Sequence, residues 1–366
     1  MMPNSGNSRK MNIGFYRYSL LNRGGDRLSL AYANHLASIG HEVTLHVKEM
    51  GTLFELSPEL KLDVIPCAGR GAFLLHAATH NLHHDLVIVD IIHLHLLLSL
   101  RNEVLYYAQA DDLEYTDGRL TRAVIDALYR ILFSSGKPII SMSQHLTDIF
   151  HRRYSAKNMI TIKTGIDHVL FYPEPDADLV RLKGRKKAVL LMARGDTYRK
   201  GFDLSLQLLS SLSPEVVSGM ELWVCGNQLN PATCEVTTRN FGVVTDQRLR
   251  QLLSSADIFL YPSRHEGFGL FPLEAMACGA VVVTTDAIPY AAKAESILCS
   301  PVGDVPSLVK NLERIVTDTT LLADLREKAI EYAMSYDFEE SKAAFVDGVQ
   351  AVVDSHNMLN TISFDH

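Results

Sequence analysis

Cysteine is scarce. The 366 residues hold five, Cys67, Cys225, Cys234, Cys278 and Cys299, and no two form a C-x-x-C pair. That argues against a zinc ribbon or a disulfide framework and favours a reducing, cytoplasmic compartment. Long hydrophobic runs are also missing. The most apolar stretch, 86–100, is interrupted by Asp90, His93 and His95 and falls short of the roughly 20 residues a spanning helix needs. The first ten residues are polar and read as a loose tail rather than a signal peptide. Nor is there a surplus of positive charge. The net charge is −7, with 17 Lys and Arg against 16 Asp and Glu up to Leu170 and 18 against 26 beyond it. A nucleic-acid binder would show a basic face. Nucleic acid is therefore not expected as a partner, whereas a small phosphorylated ligand held by a few placed cations is compatible with this balance.

What is present is ordinary globular composition, 47% hydrophobic and 21% charged, arranged twice over as short apolar β-branched runs alternating with helical patterns. Such alternation predicts βαβ units and parallel sheets. In the first half strands are expected at 11–17, 42–47, 62–67, 85–92, 103–107, 138–141 and 159–162, with helices near 26–39, 119–133 and 144–154. In the second half strands are expected near 187–192, 221–225, 258–261 and 281–284, with helices near 203–212, 246–255, 272–278 and 306–316. Residues 167–183 contain Pro173, Pro175 and several charges but no period, and read as an interdomain linker. The expectation is an α/β protein of two doubly wound Rossmann-like domains facing across a cleft, 1–170 and 171–366, whose final helix can pack back on the first domain. Ligands of such sheets bind at the carboxyl ends of the strands.

The most informative segment runs from Ile258 to Gly279, IFLYPSRHEGFGLFPLEAMACG: a strand, a glycine loop and a helix. Pro272 suits a first helical turn and Gly279 the left-handed position that ends a helix. Gly267, Phe268, Gly269 and Leu270 then present backbone N–H groups at a helix start, an arrangement that binds phosphate oxygens. Glu266 is placed at the end of the strand and Glu274 in the first turn of the helix, two carboxylates able to accept from vicinal hydroxyls of a ribose or hexose. Alternatively Glu274 caps its helix and Glu266 is a solvated loop charge. A dinucleotide fingerprint is disfavoured, because Pro272 stands where the third glycine would be.

Other features have plainer readings. Twelve of the 15 histidines precede Phe171, and His76, His80, His83, His84, His93 and His95 invite a metal hypothesis, but their spacing matches no ligand set. His93 and His95 are expected in or after an apolar strand as packed imidazoles. Asp111 and Asp112 read as loop charges or hydroxyl acceptors, and no metal site is expected. The stretch 119–137 mixes Arg119, Arg122, Arg130 and Lys137 with Val124, Leu128, Leu132 and Phe133. It could make peripheral contact with the inner face of a membrane, although an ordinary surface helix is the simpler reading.

The segment Glu266-Gly-Phe-Gly-Leu through Glu274-Ala-Met-Ala-Cys-Gly, with its E-x7-E spacing, resembles family 4 of the retaining glycosyltransferases, which have the GT-B fold. Met192 to Gly201 resembles the arginine-to-lysine-glycine segment of that family, Thr164-Gly-Ile-Asp167 its linker motif, and Arg23-Gly24-Gly25 its first glycine loop. The resemblance implies a nucleotide diphosphate sugar as co-substrate and no further cofactor. It places Glu274 on the ribose hydroxyls, Glu266 on the donor sugar, and the amides around Phe268–Leu270, with Gly24 and Gly25, on sugar and diphosphate. Arg194 and Lys200 would flank the diphosphate, where fixed cations can stabilise leaving-group charge without a metal. Backbone groups near Gly242 and Val243 would meet the base.

One position departs from the pattern. Many relatives carry a histidine after the fifth strand of the first domain, and here Gln109 stands there; a subgroup that transfers deoxyhexoses is similar, with glutamine followed by acidic residues. An amide cannot act as a base near neutral pH but can orient a hydroxyl, so proton removal would fall to the substrate phosphate or to Asp111 or Asp112. The plainer alternative has Gln109 satisfying loop backbone. The resemblance implies hexosyl or deoxyhexosyl transfer to a glycan or lipid-linked acceptor in surface polysaccharide synthesis. The rivals are a sugar-nucleotide epimerase or hydrolase on the same fold, and an inactive glycan- or nucleotide-binding protein.

Overall fold

In a computed structural model, residues 10–21, 24–51, 56–193, 198–226 and 235–362 are described. The chain divides into two compact units, residues 1–163 with 339–366, and residues 164–338.

The first unit is built on seven parallel strands: β1 (Asn12–Leu20), β2 (Glu42–Met50), β3 (Lys61–Val64), β4 (Leu86–Val89), β5 (Val104–Ala108), β6 (Ile139–Ser141) and β7 (Met159–Thr161), in the order β3-β2-β1-β4-β5-β6-β7. The central strands are apolar on both faces because helices cover both, as a parallel sheet requires; all of β4 and β5 is buried. The long helix Phe338–Ile362 belongs largely to this unit. Its Phe345 stacks on Tyr32 with ring centroids 4.1 Å apart and lies 6.4 Å from Phe15.

The second unit has six parallel strands: β8 (Lys187–Ala193), β9 (Met220–Gly226), β10 (Thr238–Gly242), β11 (Ile258–Tyr261), β12 (Val281–Thr285) and β13 (Ile297–Ser300), in the order β10-β9-β8-β11-β12-β13. Val189, Leu191, Leu222, Val224, Leu260 and Val283 of the sheet pack with Leu208, Leu308, Leu312 and Ile315 of the helices. In both sheets the strand order reverses beside the first strand, between β1 and β4 and between β8 and β11. Crevices at such reversals, outside the carboxyl ends, are where open α/β sheets take ligands.

Several expectations need correction. Residues 167–183 are not a linker. They belong to the second unit, bury Phe171 and Leu179, and end in the helix Ala177–Lys183, whose charges are structural: Asp176 caps the helix and Lys183 pairs with Asp257 at 2.8 Å. A helix of seven residues is too short to show a period. His93 and His95 lie on the helix Ile92–Leu98, not in a strand. Strands β10 and β13 and the helices Gly69–Thr79 and Thr319–Met334 were not foreseen.

Candidate active site

In the second unit the loops after β8 and β11 flank the reversal of strand order. They are drawn together by their own backbones: Arg264 N donates to Arg199 O at 2.7 Å, and the Arg264 guanidinium takes both oxygens of Asp203 at 2.6 and 2.7 Å. Gly201 makes the approach possible. Its φ is +67°, and a Cβ there would sit 1.7 Å from Pro262 O, so no other residue fits without moving a loop.

Lys200 and Glu266 meet at this junction. Lys200 Nζ lies 2.6 Å from Glu266 Oε1, and Tyr261 Oη donates to the same oxygen at 2.8 Å, with Ser263 Oγ at 3.2 Å. Burial, then the neighbouring carboxylate, push the Tyr261 phenol well above its ordinary value, so it remains a donor. Glu266 does not end the strand: β11 stops at Tyr261, and the carboxylate stands in the following loop. Arg194 lies outside the described residues, as does Arg23.

The glycine loop leads into the helix Leu270–Ala277. Gly269 is its N-cap in the left-handed conformation, φ +95°, and the Tyr290 hydroxyl donates to Gly269 O at 2.5 Å. Phe268 packs against Tyr290 and Tyr336, with centroids 5.6 and 5.8 Å apart. The helix begins at Leu270, two residues before Pro272, so buried Glu274 lies in its second turn rather than its first. Gly279, φ +88°, follows the helix as expected. Gly242, φ +68°, closes β10 at the sheet edge, and Val243 after it is exposed.

The first unit carries its own polar cluster at the β1/β4 reversal. Arg17 is a charged residue in an otherwise apolar strand, and it pairs with Asp26 at 2.7 Å and Asp90 at 2.9 Å while donating to Ser29. Gln109, just after β5, donates from Nε2 to Ser29 Oγ at 2.5 Å. Its amide oxygen lies against Gly25, near the start of the helix Gly24–Ser38, so closely that a Cβ on Gly25 would be 2.2 Å away. Gln109 thus bonds to a hydroxyl and lies against the start of the first helix, an arrangement compatible with either reading. Asp111 and Asp112 are committed to structure. Asp111 caps the short 3₁₀ turn Asp112–Tyr115 and pairs with Arg153 at 2.5 Å. Asp112 accepts from Ile92 N at 2.8 Å, and burial pushes its carboxyl up to about 7. Both carboxylates thus already accept hydrogen bonds within the first unit. Among the described residues no group of three His, Cys, Asp or Glu side chains could hold a metal ion.

Sequence reasoning missed Tyr261, Ser263, Tyr290, Ser29 and Arg17. Tyr261 and Ser263 lie within five residues of Glu266, which was a usable signal; Tyr290 reaches the glycine loop, and Ser29 and Arg17 the separate cluster of the first unit, only through the fold.

Residues 178–335 match the family model described as "Glycosyl transferases group 1". This stretch is similar to a group 1 glycosyl transferase domain. It holds Lys200, Glu266, the glycine loop, Glu274 and Gly242. The N,N'-diacetylbacillosaminyl-diphospho-undecaprenol alpha-1,3-N-acetylgalactosaminyltransferase of Campylobacter jejuni is 26% identical over 236 residues, 60% of this chain and 61% of that protein. The serotype-specific mannosyltransferase WbdA of Escherichia coli is 30% identical over 116 residues, 31% of this chain and 14% of that protein. The chain thus spans less than two thirds of these curated relatives. Among solved structures, WaaG, described as a glycosyltransferase involved in lipopolysaccharide biosynthesis, superimposes with a TM-score of 0.74 at 22% identity, covering 91% of this chain and 99% of that one. Anabaena HepE in complex with UDP-glucose gives 0.76 at 17% identity, covering 93% and 100%. The fold of the chain is therefore GT-B.

Proposed function

We propose that the protein is a retaining glycosyltransferase that moves a hexosyl or deoxyhexosyl group from a nucleotide diphosphate sugar to a glycan or lipid-linked acceptor in surface polysaccharide synthesis. The observation that carries the reading is the Lys200–Glu266 ion pair at the strand-order reversal of the second unit, beside a glycine-capped helix start. Relatives named for transfer to an undecaprenol diphosphate sugar and for lipopolysaccharide biosynthesis support the acceptor class, and a neighbour bound to UDP-glucose supports the donor class.

In this reading the acceptor oxygen forms a bond to the anomeric carbon on the face from which the bond to the β-phosphate oxygen breaks, and the hydroxyl proton passes to the departing phosphate. Negative charge grows on that phosphate. Lys200, placed by Glu266, and the amide N–H groups at Gly267–Leu270 answer it, a preorganised stabilisation that needs no metal. Arg194 is proposed as the second cation, Glu274 as the acceptor for the ribose hydroxyls, and Gly242 and Val243 as backbone partners of the base. Gly24 and Gly25 would approach the diphosphate, and Gln109 would orient the sugar or the attacking hydroxyl.

Work at the cytoplasmic side of a membrane fits such acceptors. No helix among the described residues is long and apolar enough to cross a membrane, but the helix Arg119–Ser134 exposes Leu120, Val124 and Ile131 beside Arg119 and Arg130, a face suited to peripheral contact. Flotation with anionic vesicles tests that contact. The function itself is tested by thermal-shift binding of UDP, GDP, dTDP and ADP and their sugars, followed by transfer assays with the sugar that binds. A ligand at 100 times its Kd should stabilise the fold by about 2.7 kcal/mol. Release of free sugar without transfer would favour the hydrolase reading, and no response to any of the panel would refute the donor class.

A further inference from the structure

The first unit holds a second group of cations that the assignments above leave unused. The ring of Tyr18, on β1, has Lys48 Nζ and Arg70 Cζ each 5.3 Å from its centroid. Lys48 comes from β2, whose register with β1 pairs Arg17 with Val47 and Ser19 with Glu49, so Tyr18 and Lys48 lie side by side on one face of the sheet. Arg70 comes from the first turn of the helix Gly69–Thr79, whose Phe73 packs edge-on against Tyr18 at 5.3 Å. His93 sits on the helix Ile92–Leu98, which packs against the helix Gly69–Thr79; burial, then the Arg70 charge, hold its imidazole below its ordinary value and favour the neutral, hydrogen-bonding form. Three elements thus bring two cations to one phenol ring, with the imidazole of His93 on a fourth element packed beside them.

Their charge is unbalanced. Among the described residues no carboxylate forms an ion pair with Lys48, Arg70 or His93; Asp63 is engaged with His46, and Asp26 and Asp90 with Arg17. Arg70 is exposed and Lys48 half-buried, so both can be reached from solvent. The location is also that of a ligand site. Tyr18 and Lys48 lie near the carboxyl ends of their strands and His93 follows β4, so the group sits beside the β1/β4 reversal of strand order.

We propose that Lys48, Arg70 and His93, gathered around Tyr18, form an anion subsite for a phosphoryl group. Resting on the transferase reading above, we assign that group to the acceptor, a glycan carried on a diphosphate. Arginine offers a phosphate two parallel N–H donors, lysine a mobile point charge and tyrosine a hydroxyl, while the ring supports both alkyl stems.

Calorimetric titration of inorganic pyrophosphate into the full chain tests the subsite, using the parent, Lys48→Met, Arg70→Met and the double variant; methionine keeps the apolar stem on Tyr18. The parent should bind two equivalents, one through Lys200 and one here. The double variant should bind one, and Lys200→Ala should remove the other. Arg70→Lys, which keeps the charge and is the milder change for folding, should retain the equivalent with weakened affinity. Unchanged stoichiometry and affinity in the double variant would overturn the subsite. The acceptor assignment is read separately, with a farnesyl diphosphate-linked sugar and the same sugar as an alkyl glycoside. The double variant should raise KM at least tenfold for the first and leave the second unchanged. Equal changes for both acceptors, or orthophosphate binding here as tightly as farnesyl diphosphate, would overturn that assignment. Loss of the pyrophosphate equivalent in a protein that transfers no sugar would support the subsite and refute only the transferase reading.

Discussion

Lys200 Nζ lies 2.6 Å from Glu266 Oε1, although 66 residues separate the two in sequence. The pairing changes what each residue can be asked to do. A carboxylate that already holds an ammonium, a phenol and a hydroxyl cannot also be a free nucleophile, and an ammonium fixed by it is preorganised for an arriving phosphate. Replacing Lys200 with alanine should lower transfer turnover by roughly 100- to 1,000-fold, as loss of a preorganised donor does. Glu266→Gln should lower turnover while changing nucleotide affinity much less. Steady-state kinetics beside nucleotide Kd values separate the effects, and unchanged turnover in Lys200→Ala would remove it from the site.

Glu274 is expected to act in binding. Glu274→Ala should weaken nucleoside diphosphate binding by on the order of 1–3 kcal/mol, because two hydroxyls lose their acceptor. The side chain is buried in a helix, so Glu274→Gln serves as the folding control in calorimetry. Parent-like affinity in a folded Glu274→Ala would show that the ribose lies elsewhere.

Gln109 should matter for turnover more than for nucleotide binding, and Ser29→Ala, which removes the hydroxyl accepting from Gln109 Nε2 at 2.5 Å, should produce a weaker form of the same defect. An amide does not titrate, so the pH–rate profile should carry no limb assignable to position 109. Unchanged kinetics in Gln109→Ala would leave it as a support for the Gly25 loop.

Asp112 makes a pH prediction about stability. Its folded carboxyl is pushed up to about 7 by burial, above the ordinary aspartate value near 3.9 in the unfolded chain. Between these values the folded state holds the proton more tightly, so stability contributed by this group is full below about pH 4 and falls as pH rises towards 7. The slope is about 1.4 kcal/mol per pH unit at most. Asp112→Asn can keep an acceptor for Ile92 N and should flatten that part of the profile in denaturant titrations at pH 4, 5.5 and 7. Parallel profiles for the two proteins would contradict this.

Helices with local signals were legible from the chain alone. The helices Gln144–Tyr154 and Asp246–Ser255 start and stop where expected, since Ser143 and Thr245 cap them with their own hydroxyls, a bond formed within three residues. The glycine loop leading into a helix could be read for the same reason, whereas Glu266 falls beyond the strand end and Glu274 one turn later than expected. The run at 85–92 illustrates the opposite case. Apolar residues continue without a period through β4 into the helix Ile92–Leu98, and a buried strand and a buried helix look alike in such a run. Edge strand β10, Thr-Arg-Asn-Phe-Gly, has little strand character of its own and exists because β9 offers it a ladder.

By itself the sequence determined the residue types at the site, the repeated α/β pattern and the local geometry of each glycine turn, all of which depend on neighbours a few positions away. Only the tertiary structure decided which of them meet. Placing β8 beside β11 brings Lys200 to Glu266, and placing β1 between β2 and β4 brings Tyr18 to Lys48 and Arg17 to Asp90. Strand order is set by burying both faces of each sheet at once, a property of the whole unit that no local window of sequence contains.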